Sequence, residues 1–158
     1  MAKHVSRYGP DEGSDNLSPE VRRRTMQAIR SRRTRLEDEV CRRLWAMGLR
    51  YRRNVSTLVG TPDIAVKSRH LVIFLDSCFW HACPEHGNWP QRNAEYWRRK
   101  LLRNRDRDRQ VSAHYGTIGW TVVRVWEHEV WKDADGVTRR LATLWDDTRS
   151  GSVKGVRS

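Results

Sequence analysis

The sequence predicts a single α/β domain in which a mixed central sheet is flanked by helices. Three observations carry that expectation. The chain has 158 residues, which matches one ordinary domain of roughly 100 to 150 residues with short additions at its ends. Its apolar residues recur at helical spacing in some segments and form short strand-sized runs in others. Taken along the chain, these segments fall in the order α, α, β, β, α, β, α, and such interleaving places helices against a sheet.

Residues 1–17 mix Gly, Pro, Ser, Asp and Asn without periodicity and residues 150–158 resemble them, so both are expected to be loose tails around a folded unit at 18–149. Ser18 before Pro19 is a helix start, with a side-chain oxygen for the unpaired amides and a proline where no N–H is needed. This first helix is expected to end near Ser31. Thr34 with Glu37 three residues later has the form of a capping box, and Leu36, Val40, Leu44 and Met47 form the apolar stripe of a second helix that Gly48 ends. Asp63–Val66 and Leu71–Leu75 are strand-sized and joined by the polar residues 67–70, as in a hairpin. Asn93 is placed to cap a long helix running to about Tyr115, with a stripe of Trp97, Leu101, Val111 and Tyr115 that Asn104 and Asp108 interrupt. A third strand at Thr121–Trp126 and a final helix bearing Val137, Leu141, Leu144 and Trp145 complete the order, and no internal repeat is present.

Charge narrows the function. Lys and Arg number 31 against 19 Asp and Glu, a formal net charge of +12, which suits a protein that meets phosphates far better than one handling small metabolites. A basic membrane-surface protein is the competing reading. The arginines, however, are spread along the chain and do not line one amphipathic helix. The mean hydropathy is −0.83, and no run approaches the roughly 18 apolar residues of a membrane span. Three cysteines make an odd number for a disulfide scaffold, and the N-terminus has no apolar signal core, so a reducing cytoplasm is expected.

Within the hairpin, pairing Val66 with Leu71 sets Asp63 opposite Phe74, on the side of the sheet that Asp76 shares by the period of two. Two carboxylates at one sheet end suit Mg²⁺, which takes one or two of them and fills its other positions with water and phosphate oxygens. The alternative makes Asp63 a turn residue after Pro62 and Asp76 a strand terminator. The following stretch, Cys78-Phe79-Trp80-His81-Ala82-Cys83-Pro84-Glu85-His86, concentrates soft sulfur and imidazole ligands that select zinc. Cys78, Cys83 and His86 offer three ligands, and His128 beyond the third strand offers a fourth. A closed four-ligand zinc site is structural and braces a loop; a disulfide and free buried cysteines are the other readings. His81 is not needed in that set and is available for proton transfer, with Asp108 as the carboxylate that orients it or, alternatively, as a salt-bridge partner of the arginines at 105–109. Eight tryptophans are many for one domain. Phe79, Trp80, Trp89 and Trp97 fall around the site, either as core or as groups that stack on bases or wedge into a duplex.

With these residues in place, the chain resembles the very-short-patch repair (Vsr) mismatch endonucleases, small bacterial DNA-nicking enzymes related to type II restriction nucleases. The resemblance spans roughly 18–144 and rests on Met26-Gln27-Ala28-Ile29-Arg30, the Gly60-Thr61-Pro62-Asp63 turn, Val72 through His81, and Gly119-Trp120 with Val125-Trp126-Glu127. It implies a restriction-endonuclease-like mixed sheet, a structural zinc, and a Mg²⁺-dependent cut of one strand beside the thymine of a T·G mispair, the product of 5-methylcytosine deamination. By position, Asp63 resembles the metal-binding carboxylate, and Leu75 falls where a backbone carbonyl is a ligand. His81 is similar to the imidazole acting on the attacking water, and Asp108 to its partner. Glu37 matches an acidic site residue on the second helix, with helix capping as its alternative. Phe79, Trp80 and Trp97 resemble the aromatic wedge, Lys100 and Asn104 fall where mispair contacts are made, and Met26 and Ile29 belong to a DNA-contacting string. Asp76 stands where some members have histidine, which leaves open whether it binds metal directly. His128 stands at a cysteine position, and the loop spacing shifts near His86.

The resemblance thus implies a monomeric bacterial enzyme acting on double-stranded DNA, with other repair proteins as further partners. A restriction-type nuclease and a zinc-braced DNA-binding module without activity are the alternatives.

Overall fold

A computed structural model describes residues 18–86, 91 and 93–149, and gives the backbone alone for 22, 26, 29–33 and 149. The tails expected at 1–17 and 150–158, Trp89, and the side chains of Met26 and Ile29 lie outside the described residues.

Four strands, β1 (Arg52–Arg53), β2 (Ile64–Val66), β3 (Leu71–Asp76) and β4 (Thr121–Trp126), form one sheet in the order β1-β2-β3-β4. The first three run antiparallel and β4 lies parallel to β3, so the sheet is mixed as expected. In the hairpin, Ile64 pairs with Ile73, Ala65 with Val72 and Val66 with Leu71. A one-residue slip would turn every side chain to the other face, and two buried faces hold the register against it.

Helices cover both faces. Helix α1 (Pro19–Ala46) and helix α3 (Glu127–Arg149) join Leu36, Val40, Leu44, Val137, Leu141 and Trp145 to Ile64, Ile73, Leu75 and Val125 in one core. On the opposite face, Val111 and Tyr115 of helix α2 (Ala94–Thr117) meet Ala65, Val72, Phe74 and Val122. That double covering explains why β3 is buried at all six positions and reads as an unbroken apolar run. Parallel strands need a long crossover, and α2 supplies it between β3 and β4. Among the described residues no helix is long and apolar enough to cross a membrane.

Several boundaries differ from expectation. Instead of two helices meeting near Ser31 and Thr34, α1 continues unbroken from Pro19 to Ala46. The intervening Ser31-Arg32-Arg33-Thr34 contains neither Gly nor Pro, so extending a formed helix is easier than ending it and nucleating another. Thr34 is therefore no cap. Asn93 holds the N-cap position of α2, but its backbone is left-handed (φ 55°) and its side chain makes no capping hydrogen bond; its carbonyl accepts from Trp97 N–H. Strand β1 went unforeseen because two exposed arginines carry no apolar pattern. Helix α3 leaves β4 directly and kinks at Asp133 (φ −153°, ψ 78°), whose carboxylate accepts from Gly136 N–H at 2.8 Å. A Cβ at Gly136 would collide with that carboxylate.

Candidate active site and metal centre

The site grows from the end of the β2–β3 hairpin. Antiparallel pairing stops at Ile64, which would leave the Leu75 N–H without a strand partner, and Asp63 Oδ2 accepts it at 2.7 Å. The turn before Asp63 is pressed onto α2: Gly60 (φ 76°) has Val111 Cγ1 2.7 Å from where a Cβ would stand. The Tyr115 hydroxyl donates to the Val59 carbonyl at 2.7 Å, and Asn54 N–H donates to the Asp63 carbonyl. Asp63 and Asp76 are each 3 % exposed. Two carboxylates buried at one sheet end, beside the main chain of Leu75, form the oxygen-rich setting expected from the register.

Directly beyond β3, a tight loop carries the next groups. Cys83 N–H donates to the Cys78 carbonyl and His81 N–H to the Ser77 carbonyl, which turns the His81 ring back over the sheet. Its Nδ1 lies 2.6 Å from Asp108 Oδ2 and 3.6 Å from Asp76 Oδ1. An ionised carboxylate only accepts hydrogen bonds, so Nδ1 carries a proton toward Asp108 and Nε2 is the nitrogen available to other partners. Asp108 interrupts the apolar stripe of α2 to serve that ring rather than the neighbouring arginines of its own helix. Against the upward push of burial, the hydrogen bond and charge of His81 and the charges of Arg124 and Arg107 hold its carboxyl below the usual value.

Sequence reasoning missed Arg124. From β4, its Nη1 meets Asp76 Oδ2 at 2.6 Å and its Nη2 lies 3.3 Å from Asp108 Oδ1. Nε donates to Ser112 Oγ at 3.3 Å, and the guanidinium lies over the Phe74 ring at 4.8 Å. The available signal was one charged residue inside the run Val122-Val123-Arg124-Val125.

Cys78, Cys83, His86 and His128 converge, with their ligand atoms within 4.8 Å of one another. His128 Nδ1 is 3.2 Å from Cys78 Sγ and 3.5 Å from Cys83 Sγ, and His86 Nδ1 is 3.9 Å from Cys83 Sγ. A tetrahedral zinc with ordinary bond lengths separates sulfur and nitrogen ligands by about 3.5 Å, so this set fits the ion. Burial, with the neighbouring Cys83 adding to it, pushes the Cys78 thiol up to about 11, a tendency that a divalent ion reverses by binding thiolate. No disulfide joins these cysteines. Glu85 lies 3.6 Å from His128 Nε2, in the manner of carboxylates that orient metal-bound imidazoles.

Aromatic rings gather beside the loop. Phe79, Trp80 and Trp97 have centroids 5.0 to 5.9 Å apart, and all three are half-buried. Lys100 Nζ sits 5.2 Å from the rings of both Trp80 and Trp97, and the Asn104 amide donates to the Trp80 carbonyl at 3.1 Å. Glu37 reaches the site indirectly: its carboxylate accepts from the Asn54 side chain at 3.2 Å and from Arg53 at 3.4 Å, and the Asn54 main chain holds Asp63. With α1 continuous, the capping alternative for Glu37 falls away.

Relatives point the same way. The chain is 43 % identical over 118 residues to the type II nicking enzyme V.NaeI of Lentzea aerocolonigenes, covering 72 % of this chain and 71 % of that one. It is 41 % identical over 135 residues to the type II nicking enzyme V.XorIIP of Xanthomonas oryzae pv. oryzae, covering 84 % and 98 %. It is also 34 % identical over 111 residues to the DNA mismatch endonuclease Vsr of Escherichia coli, covering 68 % and 69 %. Residues 14–86 match the family model described as DNA mismatch endonuclease Vsr. These likenesses set aside the binding module without activity, and with a buried carboxylate pair and a carboxylate-held imidazole at one sheet end, the chain belongs to the Vsr family of DNA endonucleases.

Proposed function

We propose that the protein nicks one strand of duplex DNA beside the thymine of a T·G mispair, as a step of very-short-patch repair. The observation that carries this reading is the His81–Asp108 pair at 2.6 Å, with His81 on the same loop that presents Phe79 and Trp80. An oriented imidazole serves hydrolysis, and rings beside it serve a distorted duplex. The E. coli relative is called a mismatch endonuclease, which supports the T·G substrate.

Asp63 and the Leu75 main-chain carbonyl would hold Mg²⁺, which when bound supplies polarisation of the phosphate and a more acidic water. His81 takes the proton of the attacking water at Nε2 while Asp108 keeps Nδ1–H in place and stabilises the imidazolium that forms. Asp76 adds negative charge on the same side of the ring, and Glu37 steadies the Asp63 main chain through Asn54. Phe79, Trp80 and Trp97 enter the stack at the mispair. A T·G wobble is already poorly stacked, so opening it there costs less than the few kcal/mol per step of a matched duplex. Lys100 and Asn104 stand beside those rings to touch the exposed edges. Met26 and Ile29 would meet DNA from α1, and the exposed arginines 98, 103, 105 and 107 of α2 would meet phosphates. Zinc on Cys78, Cys83, His86 and His128 would brace the loop. The unit at 18–149 is read as a restriction-endonuclease-like domain working as a monomer in the bacterial cytoplasm.

Single-turnover nicking of T·G and T·A duplexes, with Mg²⁺ or EDTA, tests the reading in wild type and Trp80→Ala. Wild type should nick T·G duplex only with Mg²⁺. The folded variant should lose most of that rate and keep weak binding to matched DNA. Preference for a fully paired site would establish a restriction-type enzyme instead.

A further inference from the structure

The proposed mechanism leaves one buried interaction unused. Asp76 and Asp108 approach the same nitrogen of His81, at 3.6 and 2.6 Å, and their side chains are 4 % and 16 % exposed. Two carboxylates so placed, out of water and sharing one imidazole nitrogen, repel each other. One of them would take a proton or turn away unless a cation stands between them. Arg124 is that cation, with a different guanidinium nitrogen on each carboxylate. Its own direction is set by Ser112 on Nε and by the Phe74 ring beneath it, so the fork is held on three sides. Lysine has no such fork, because its ammonium is a single charged point on a flexible stem.

We propose that Arg124 is the positioning residue of this site: it ties Asp76 and Asp108 together on the Nδ1 side of His81, turns Nε2 toward the substrate, and keeps Asp76 out of the metal shell. Asp76 Oδ2 is spent on Arg124 at 2.6 Å and Oδ1 faces the imidazole, which leaves the cation to Asp63. This rests on the reading of His81 as the group that acts on the attacking water.

The test compares the wild-type chain, purified without chelators, with Arg124→Met, Arg124→Lys and the double variant Asp76→Asn/Arg124→Met, each checked by thermal melting. Loss of a group that orients a catalytic imidazole should lower the single-turnover nicking rate of Arg124→Met about 100-fold while the Kd for duplex stays within about threefold. Arg124→Lys keeps the charge without the fork and should recover about tenfold of that loss. Removing the stranded negative charge in the double variant should also recover about tenfold, at an unchanged half-saturating Mg²⁺ concentration. If Arg124→Met does not fold, the lysine and double variants carry the same comparison. A folded variant at the wild-type rate overturns the proposal. So does a double variant that stays as slow as Arg124→Met and needs more Mg²⁺, since Asp76 would then be a metal ligand. Should wild type nick no duplex, the nuclease reading fails by itself, and ¹⁵N spectra of the histidine rings decide the role of Arg124. His81 should show a protonated Nδ1 in wild type and lose that signature in Arg124→Met, and identical spectra overturn the proposal.

Discussion

Asp63 accepts a main-chain N–H and Asp108 holds an imidazole, and these environments predict different losses. Asp63 ends the β2–β3 ladder by accepting Leu75 N–H, so Asp63→Ala removes a carboxylate from the expected metal position and a partner from a buried amide. The variant should bind T·G duplex and fail to nick it, with a stability loss of about 1–3 kcal/mol for the unsatisfied amide. Gel-shift, nicking and urea melting measure the three effects. Normal nicking by folded protein would remove Asp63 from the metal site. Against the upward push of burial, the hydrogen bond and charge of His81 hold the Asp108 carboxyl below its ordinary value of 3.8. In the folded state it binds fewer protons than in the unfolded chain, so its contribution is complete above about pH 3.8 and fades as pH falls through the lower folded value. The urea midpoints of wild type and Asp108→Asn should therefore differ near neutrality and converge in acid. A gap that stays constant to pH 2 would mean that the carboxylate charge is not what Asp108 contributes.

Elements show which parts of the sequence were readable. The hairpin was, because two short apolar runs around a four-residue polar connection leave few registers that bury both faces. The α1 boundary was not. A capping box is a local preference of about 1 kcal/mol, and it competed with a helix already propagating and with core contacts from Leu36, Val40 and Leu44. The Cys78–His86 loop is built of turns and carries neither helix nor strand, and zinc is the element that would hold it. One zinc per chain is expected by elemental analysis of protein purified without chelators. Cys83→Ser should lose that zinc, melt at lower temperature and misplace His81. Protein that contains no zinc yet keeps full activity would return the four residues to an ordinary polar cluster.

Across the whole molecule, the formal charge of +12 and the exposed arginines of α2 predict a binding constant that falls steeply with salt. Each neutralised phosphate contributes a log–log slope of about −0.9 on B-form DNA. Titrations between low and physiological salt should give a slope well beyond that of a single contact, and a flat response would assign the arginines to another partner. Sequence alone determined the α/β class, the hairpin register, the carboxylate pair at its end and the convergent Cys/His residues. Period, spacing and ligand chemistry are local properties that the chain carries wherever it folds. Only the tertiary structure decided that α1 is one helix. It also placed Arg124 between Asp76 and Asp108, from strands and a helix 16 to 48 residues apart. The parallel β3–β4 pairing, which sets Phe74 beside Arg124, creates that contact, and a pairing across a 44-residue crossover leaves no periodic trace in the residues that make it.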